Sequence, residues 1–437
     1  MRRALLLTVG TGNIDNLEAS LFVPLRISIE RGEWERIVLL PSLITFDNAE
    51  VLRGHLAGLP IAIEPLPKPG VEDDADRCFE HFDRVIERLR ADGFAAEEIV
   101  VDFTRGTKAM SAALVLAAVR HEIPRLRYIA SVSRDVRGLV VPGTEELRET
   151  STARATARRI IDLACGLMER GAFGAALVLL PDPENPFSRL GWTAEELDPV
   201  SRMRGLVEFY AAWDRLDHAA AARIRFAGAK ALPAAWRRFY PPERVRDWVR
   251  RLSAAPKRSA TAETASRQRL LAIDLLANAE RRVRQHQLED ALVRCYRIAE
   301  LCVQARLAER GFDLDEILVK DGRVRAVLPC LQQTGIAPRK PPPGWRIRGR
   351  DGLIGFLRCL GDPDAERLAD FDRAQPMLRA HQRNDSILIH GDLPRGRASE
   401  VQWRALLSSL ERLLMLETGG DAADHLAVAR FPNGWSI

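Results

Sequence analysis

The rhythm of hydrophobic positions divides the chain. Up to about residue 145, short apolar runs alternate with stretches of helical spacing. "ALLLTVG", "RIVLLPS", "IAIEPLP", "EIVVDFT", "LRYIASVS" and "GLVVPGT" read as strands. "NLEASLFVPLRISIERG", "AEVLRGHLAG", the stretch from Cys78 to Asp92 and "KAMSAALVLAAVRH" read as helices. Nearly continuous apolar strands alternating with helices predict a parallel α/β sheet covered on both faces. Such sheets bind ligands beyond the carboxyl ends of their strands.

From about residue 146 the strand rhythm fades. "ATARRIIDLACGLMERGAFGAALVLL" and "MRGLVEFYAAWDRLDHAAAARIRF" have helical periodicity. The small, polar segment Ser253 to Gln268 reads as a linker. After it, Leu288, Leu292, Cys295, Ala299 and Cys302 recur at the helical repeat. A last long helix opens on a Ser399/Gln402 capping box and stops before Gly419 and Gly420. The expected organisation is an α/β domain over 1–145, an all-α middle over 146–270 and a third, helical domain over 271–437.

Composition narrows the classes. Of 437 residues, 46% are hydrophobic and 29% charged, the balance of a soluble globular protein. No apolar run reaches the roughly 18 residues of a membrane span. The stretch from Ala4 to Val9 is too short for a signal peptide and reads as a first strand, so a cytoplasmic location without membrane association is expected. Cys78, Cys165, Cys295, Cys302, Cys330 and Cys359 form no C-x-x-C pair and are read as buried thiols, with no metal site. The net charge of +5 permits a nucleic-acid partner without requiring one. Arginine carries nearly all of the positive charge.

Two loops leave strand ends in the first region. One is "TVGTGN", from Thr8 to Asn13; the other is "DFTRGTKAMS", from Asp102 to Ser111. Both place glycines, threonine hydroxyls and backbone N–H groups at a helix entrance, where an anion is favoured. Neither has the spacing of a Walker loop, and "GTGNID" holds only two glycines of G-x-G-x-x-G. Taken singly, each loop is accounted for by turns that need glycine and by threonine caps. Together at one sheet edge they point to a site for a negatively charged ligand.

"LLLTVGTGN" with "VVDFTRGTKAMSAAL" resembles the CARF domain, the Rossmann-like sensor of type III CRISPR ancillary proteins. The resemblance implies a dimer that binds cyclic oligoadenylate across its axis. The matching positions are Thr11, Gly12 and Asn13 in the first loop, and Thr104, Arg105, Gly106, Thr107, Lys108 and Ser111 in the second. Asp102 would orient the second loop by accepting from its N–H groups.

The third region carries "RAHQRNDSILIHGDL". Arg383 and His390 are seven steps apart, which at about 100° each returns to nearly the same helix face. Asn384 lies beside the arginine, and Gly391 can end a helix just past the histidine. Histidine can move a proton and arginine can stabilise charge on a phosphoryl oxygen. With the RNA 2′-hydroxyl as nucleophile, the set suits metal-free cleavage to a 2′,3′-cyclic phosphate and a 5′-hydroxyl. "RNDSILIHG" resembles the R-N-x4-6-H motif of HEPN ribonucleases, which commonly follow CARF domains. The spacing of six is at the long end for that family. An isolated R-x6-H with surface histidines, His381 included, is the plainer alternative. Upstream, "DALVRCYRIAELCVQARL" resembles the preceding helix of one CARF–HEPN subgroup. There Tyr296, Arg297 and Glu300 read as a packed tyrosine beside an i,i+3 ion pair that braces the active helix.

The resemblance covers the first and last thirds of the chain, to the CARF–HEPN ribonucleases (Csm6/Csx1-like, Cas02710-type subgroup). It implies a Rossmann-like domain, a helical connector and a HEPN-like domain. The implied activity is cyclic oligoadenylate-activated cutting of single-stranded RNA by a homodimer in antiviral defence. No cofactor or metal is expected, and cleavage of its own ring by the sensor is a third reading, as an additional activity. The alternative reading is a ligand-sensing regulator that binds nucleic acid without cutting it. Eleven basic residues from Arg223 to Arg258 interleave with Trp236, Phe239, Tyr240 and Trp248. An amphipathic helix with the aromatics in the core is preferred there. The loop from Arg339 to Arg350, kept from helix by Pro341 to Pro343, is the better candidate for RNA contact.

Overall fold

The computed structural model describes residues 2–131, 133, 143–180, 182, 194–225, 228–254, 261–313, 316–347, 349–378 and 398–431. They form two compact units, one of Met1–Ala164 with Val178–Arg204, the other of Cys165–Leu177 with Gly205–Ile437.

The first unit is built on a six-stranded sheet: β1 (Ala4–Val9), β2 (Arg36–Pro41), β3 (Ile61–Ile63), β4 (Ile99–Asp102), β5 (Arg125–Ser131) and β6 (Glu145–Ser151). Its order is β3-β2-β1-β4-β5-β6, and the first five strands are parallel. Alternation along β1 explains the two layers. Leu5, Leu7 and Val9 join one core with α1 (Val23–Glu30) and α2 (Phe46–His55). Ala4 and Leu6 face the other way, into a core with α3 (Ala75–Ala91) and α4 (Lys108–Arg120).

β6 corrects the sequence reading. It pairs antiparallel with β5 and is largely exposed. Its polar sequence "EELRETS" carries no apolar run, so a one-sided edge strand passed for the start of the helical region. "GLVVPGT", read as that strand, lies mostly outside the described residues.

The second unit is helical. α5 (Ala153–Glu169) and α7 (Ala194–Asp214) run across the division of the chain, and α6 (Phe173–Leu179) lies between them in sequence. α8 (His218–Arg223) and α9 (Glu243–Ser253) follow. The hairpin of α10 (Thr261–Arg284) and α11 (Leu288–Glu309) is the centre of the unit, its turn passing through His286 at φ +58°. α10 begins inside the segment expected to be a linker. Two short strands, β7 (Ile317–Leu318) and β8 (Gly344–Trp345), flank α12 (Gly322–Gln333). α13 (Gly349–Cys359), α14 (Ala365–Ala374), α15 (Glu400–Thr418) and α16 (Ala422–Ala429) are its further helices among the described residues. Ser399 and Gln402 cap α15 reciprocally, and Gly419 ends it at φ +70°.

Buried polar groups tie these helices together. The carboxylate of Asp274, fully buried, accepts from Trp213 Nε1 at 2.8 Å and Trp248 Nε1 at 3.0 Å, with His218 Nε2 at 2.9 Å. Trp236 and Phe239 are buried too, so Trp and Phe among the basic residues belong to the core, though they sit on a short 3-10 turn (Ala234–Phe239) ahead of α9 rather than on one helix, and Tyr240 is half-buried. At the far end of α15, Glu417 accepts from Arg367 at 2.7 Å and lies 3.6 Å from Arg306.

The cysteines need a second correction. Cys330 on α12 and Cys359 on α13 form a disulfide with Cα atoms 5.8 Å apart. The packing of the two helices brings these half-buried sulfurs together, which a spacing of 29 residues does not signal. The other four are buried thiols, and burial pushes Cys78 up to about 11 and Cys295 up to about 12. No helix among the described residues is long and apolar enough to cross a membrane.

Candidate functional site

The strand order sets the site. β1 leads to β2 on one side while β4 lies on the other, so the loops leaving β1 and β4 diverge at the switch point of the sheet. Between them opens a cavity of about 570 Å³, within the range of small-molecule sites.

Close backbone approach builds its floor. A Cβ on Gly10 would stand 2.8 Å from the N of Gly106, and one on Gly106 would stand 3.0 Å from Thr8 Cβ. Gly106 also has φ +136°, a conformation that side chains disfavour. The two loops can therefore touch only because both positions are glycine.

Asp102 then holds the second loop. Its buried carboxylate accepts from Thr104 N at 2.7 Å and from Ser28 Oγ. Burial raises its pKa, and the two hydrogen bonds oppose that shift. Thr104 accepts from Ile129 N at 2.9 Å, pinning the loop to β5. Thr107 caps α4 by accepting from Met110 N at 3.1 Å, and its hydroxyl donates to Glu72 O.

The expected ligand residues thus divide by role. Thr11, Gly12, Asn13, Thr104, Arg105, Gly106 and Thr107 line the cavity together. Lys108, exposed on the first turn of α4, and Ser111, whose hydroxyl donates to Phe103 O at 3.3 Å, stand outside its wall. Arg105 is the cation of the wall. Burial lowers its pKa and its Nε is buried without a hydrogen-bond partner among the described residues, so an anion in the cavity would offset the cost of desolvating it.

Sequence reasoning missed a third loop. Ser42, Ile44 and Thr45, after β2, also line the cavity. Thr45 Oγ1 donates to Val9 O at 2.8 Å, bracing the end of β1. The "PSLIT" segment follows a strand end in the same way as the two loops that were singled out, which is the signal that could have found it. Glu72 and Asp73 complete the wall. They make it mixed rather than purely cationic, and give acceptors for amino or hydroxyl donors.

Arg383, Asn384 and His390 lie outside the described residues, as does His381. The helix read as bracing them is in place. Arg297 donates to Glu300 at 2.6 Å, and Tyr296 is buried under the guanidinium of Arg350, 4.4 Å from its ring centroid. Arg350 also donates to Leu378 O at 2.8 Å, so this end of the basic loop is a core residue and not a surface for RNA. Arg339 and Lys340 are exposed. Elsewhere Asp83, Glu87 and His121 gather at metal-binding distances, but Arg120 already pairs with both carboxylates.

Residues 261–417 match the family model of the Csm6 HEPN domain. Among solved structures, Enterococcus italicus Csm6 bound to cyclic hexa-2′-fluoro-hexa-dAMP superposes at a TM-score of 0.60, with 14% identity over 98% of each chain. The chain shares the fold of that structure over nearly its whole length, and its residues 261–417 are similar to the Csm6 HEPN domain. Can2 from Sulfobacillus thermosulfidooxidans in complex with cyclic tetra-adenylate overlaps at a TM-score of 0.24, with 11% identity over 50% of this chain and 68% of that one, too little to carry an argument. No curated protein matches the sequence. The sheet-edge cavity lies in the α/β unit, and the HEPN match spans α10 to α15.

Proposed function

We propose that this chain is a cyclic oligoadenylate-activated endoribonuclease that cuts single-stranded RNA without a metal or other cofactor, in type III CRISPR defence. The observation that supports it best is the pairing of a switch-point cavity with a Csm6-type HEPN match in one chain. Arg105 and the N–H groups of the two loops would take ring phosphates, and Glu72 and Asp73 would take donors of ribose or base. One ring would bridge the cavities of two copies, and the homodimer would bring two Arg383, Asn384 and His390 sets together. His390 would move the proton and Arg383 would stabilise the phosphoryl oxygens. Activation requires that the ring bind the active dimer more tightly than the inactive one. Hydrolysis of the ring in the same cavity is a secondary activity within this proposal, attended by Thr11 and Thr107, with Lys108 at the start of α4 beside them.

The test is cleavage of fluorescent single-stranded RNA in EDTA with cyclic tetra-adenylate or cyclic hexa-adenylate. Cleavage that needs one ring, survives EDTA and vanishes in His390→Ala is the expected result. Cleavage at the parental rate in the variant would mean that the active residues are misassigned.

A further inference from the structure

The helical unit has a second concave site, made wholly of its own residues. The turn after α5 carries Arg170 and Gly171, the latter at φ +69°. It faces the C-terminal end of α10, where Gln285 Nε2 donates to Gly171 O at 3.0 Å. Arg282 fixes that glutamine by donating to its Oε1 at 2.8 Å, and donates to Gln287 Oε1 at 3.1 Å. Two adjoining cavities of about 410 and 250 Å³ share Arg170, Gly171 and Gln285.

The charge of these walls is one-sided. Arg170, Arg215, Arg281, Arg282 and Arg284 face two carboxylates, Asp214 and Glu169. Asp214 is already shared between Arg281 and Arg282, and Glu169 pairs with Arg238. Arg170 and Arg215 are exposed at the mouth.

Arg281 is the unusual member. It is 4% exposed, its guanidinium lies 3.8 Å from the Phe431 ring centroid, and it donates to Asp214 at 2.9 Å and Ala429 O at 3.3 Å. Its Nη2 is buried with no hydrogen-bond partner among the described residues. A buried guanidinium that keeps an unused donor is costly unless something completes it. Burial lowers the pKa of Arg281 and of Arg284, the direction an added anion would reverse. Phe173 and Ala211 supply an apolar floor. The carbonyl end of α10 opposes an anion with roughly half an elementary charge, less than any one of the guanidiniums supplies.

We propose that this cleft binds a small polyphosphate-bearing ligand of the nucleoside triphosphate class. Planar guanidinium donors suit phosphate oxygens, and the apolar floor suits a ring. The proposal does not depend on the sensor or nuclease assignments.

Hydrogen exchange on the full-length chain tests it, with ATP, inorganic tripolyphosphate or an oligouridylate as the probe. ATP should slow exchange in 169–175 and 281–287. The double variant Arg170→Glu, Arg215→Glu leaves the Asp214 network intact and should weaken ATP binding roughly tenfold or more. Equal protection by tripolyphosphate would assign recognition to the phosphates, and tighter ATP binding would add the nucleoside; both support the site. Residues 8–13 and 104–111 report separately on the sheet-edge cavity. Absence of protection by either phosphate compound at millimolar concentration overturns the proposal, as does protection by the RNA probe alone.

Discussion

The two units solve the problem of buried polarity in opposite ways. At the sheet-edge cavity the polar work is done by backbone and short side chains: Gly10 against Gly106, Asp102 on Thr104 N, Thr107 on Met110 N. In the helical unit it is done by large charged and aromatic groups converging from distant helices, as at Asp274 and Glu417. The difference has a physical source. Parallel strands end in a row, so short loops meet there and can leave a cavity with donors exposed. Helices have no such edge, and their buried polar groups must find one another through side chains.

The contrast predicts where each unit breaks. The largest effect belongs to Asp274→Ala, which leaves two indole N–H groups and His218 without their acceptor. A loss of about 3–5 kcal/mol in denaturant unfolding of the helical unit is expected, with the proposed ring binding in the α/β unit retained. A loss below 1 kcal/mol would show that the helices do not depend on this group. Reduction of Cys330–Cys359 comes next. Its loop of 29 residues gives roughly 3 kcal/mol, read as a lower unfolding midpoint in reductant that Cys330→Ser reproduces.

In the α/β unit the expected losses are smaller and fall on the proposed binding. Asp102→Ala strands Thr104 N and Ser28 Oγ, at about 2 kcal/mol, and should weaken ring binding as well. Asp102→Asn keeps an acceptor for Thr104 N and removes the buried charge, so it should hold both stability and binding. Equal damage by Asn and Ala would mean that the negative charge, not the hydrogen bond, orders the loop. Acidification gives the smallest change. Burial holds His81 below its ordinary value of 6.5, so the unfolded chain takes up its proton first. Stability from this group is full above pH 6.5 and declines as pH falls toward the depressed folded value; His81→Gln should flatten that slope.

What the sequence disclosed follows the same division. The alternation of apolar strands and helices, and the paired glycine and threonine loops, are local signals, and the structure brings most of those loop residues to one cavity. β6 escaped because an exposed antiparallel edge strand has no apolar run to announce it. Ser42 and Thr45 escaped because their loop has no glycine to attract attention. The Cys330–Cys359 bond and the meeting of Trp213, Trp248 and His218 on Asp274 are products of helix packing, and no spacing along the chain encodes them. Arg350 looked like part of a basic surface loop, yet packs on Tyr296 at the first turn of α13.

The central claim of the proposed function is that occupation of the sheet-edge cavity switches on Arg383, Asn384 and His390. The direct measurement is the dependence of RNA cleavage on ring concentration for the parent and for Arg105→Ala. Arg105→Ala should require at least about tenfold more ring for half-maximal cleavage while reaching the parental plateau, since it removes one charge-assisted contact and leaves the nuclease intact. An unchanged activation curve would contradict the account, because it would mean that the cavity lined by Arg105 is not where the activator acts.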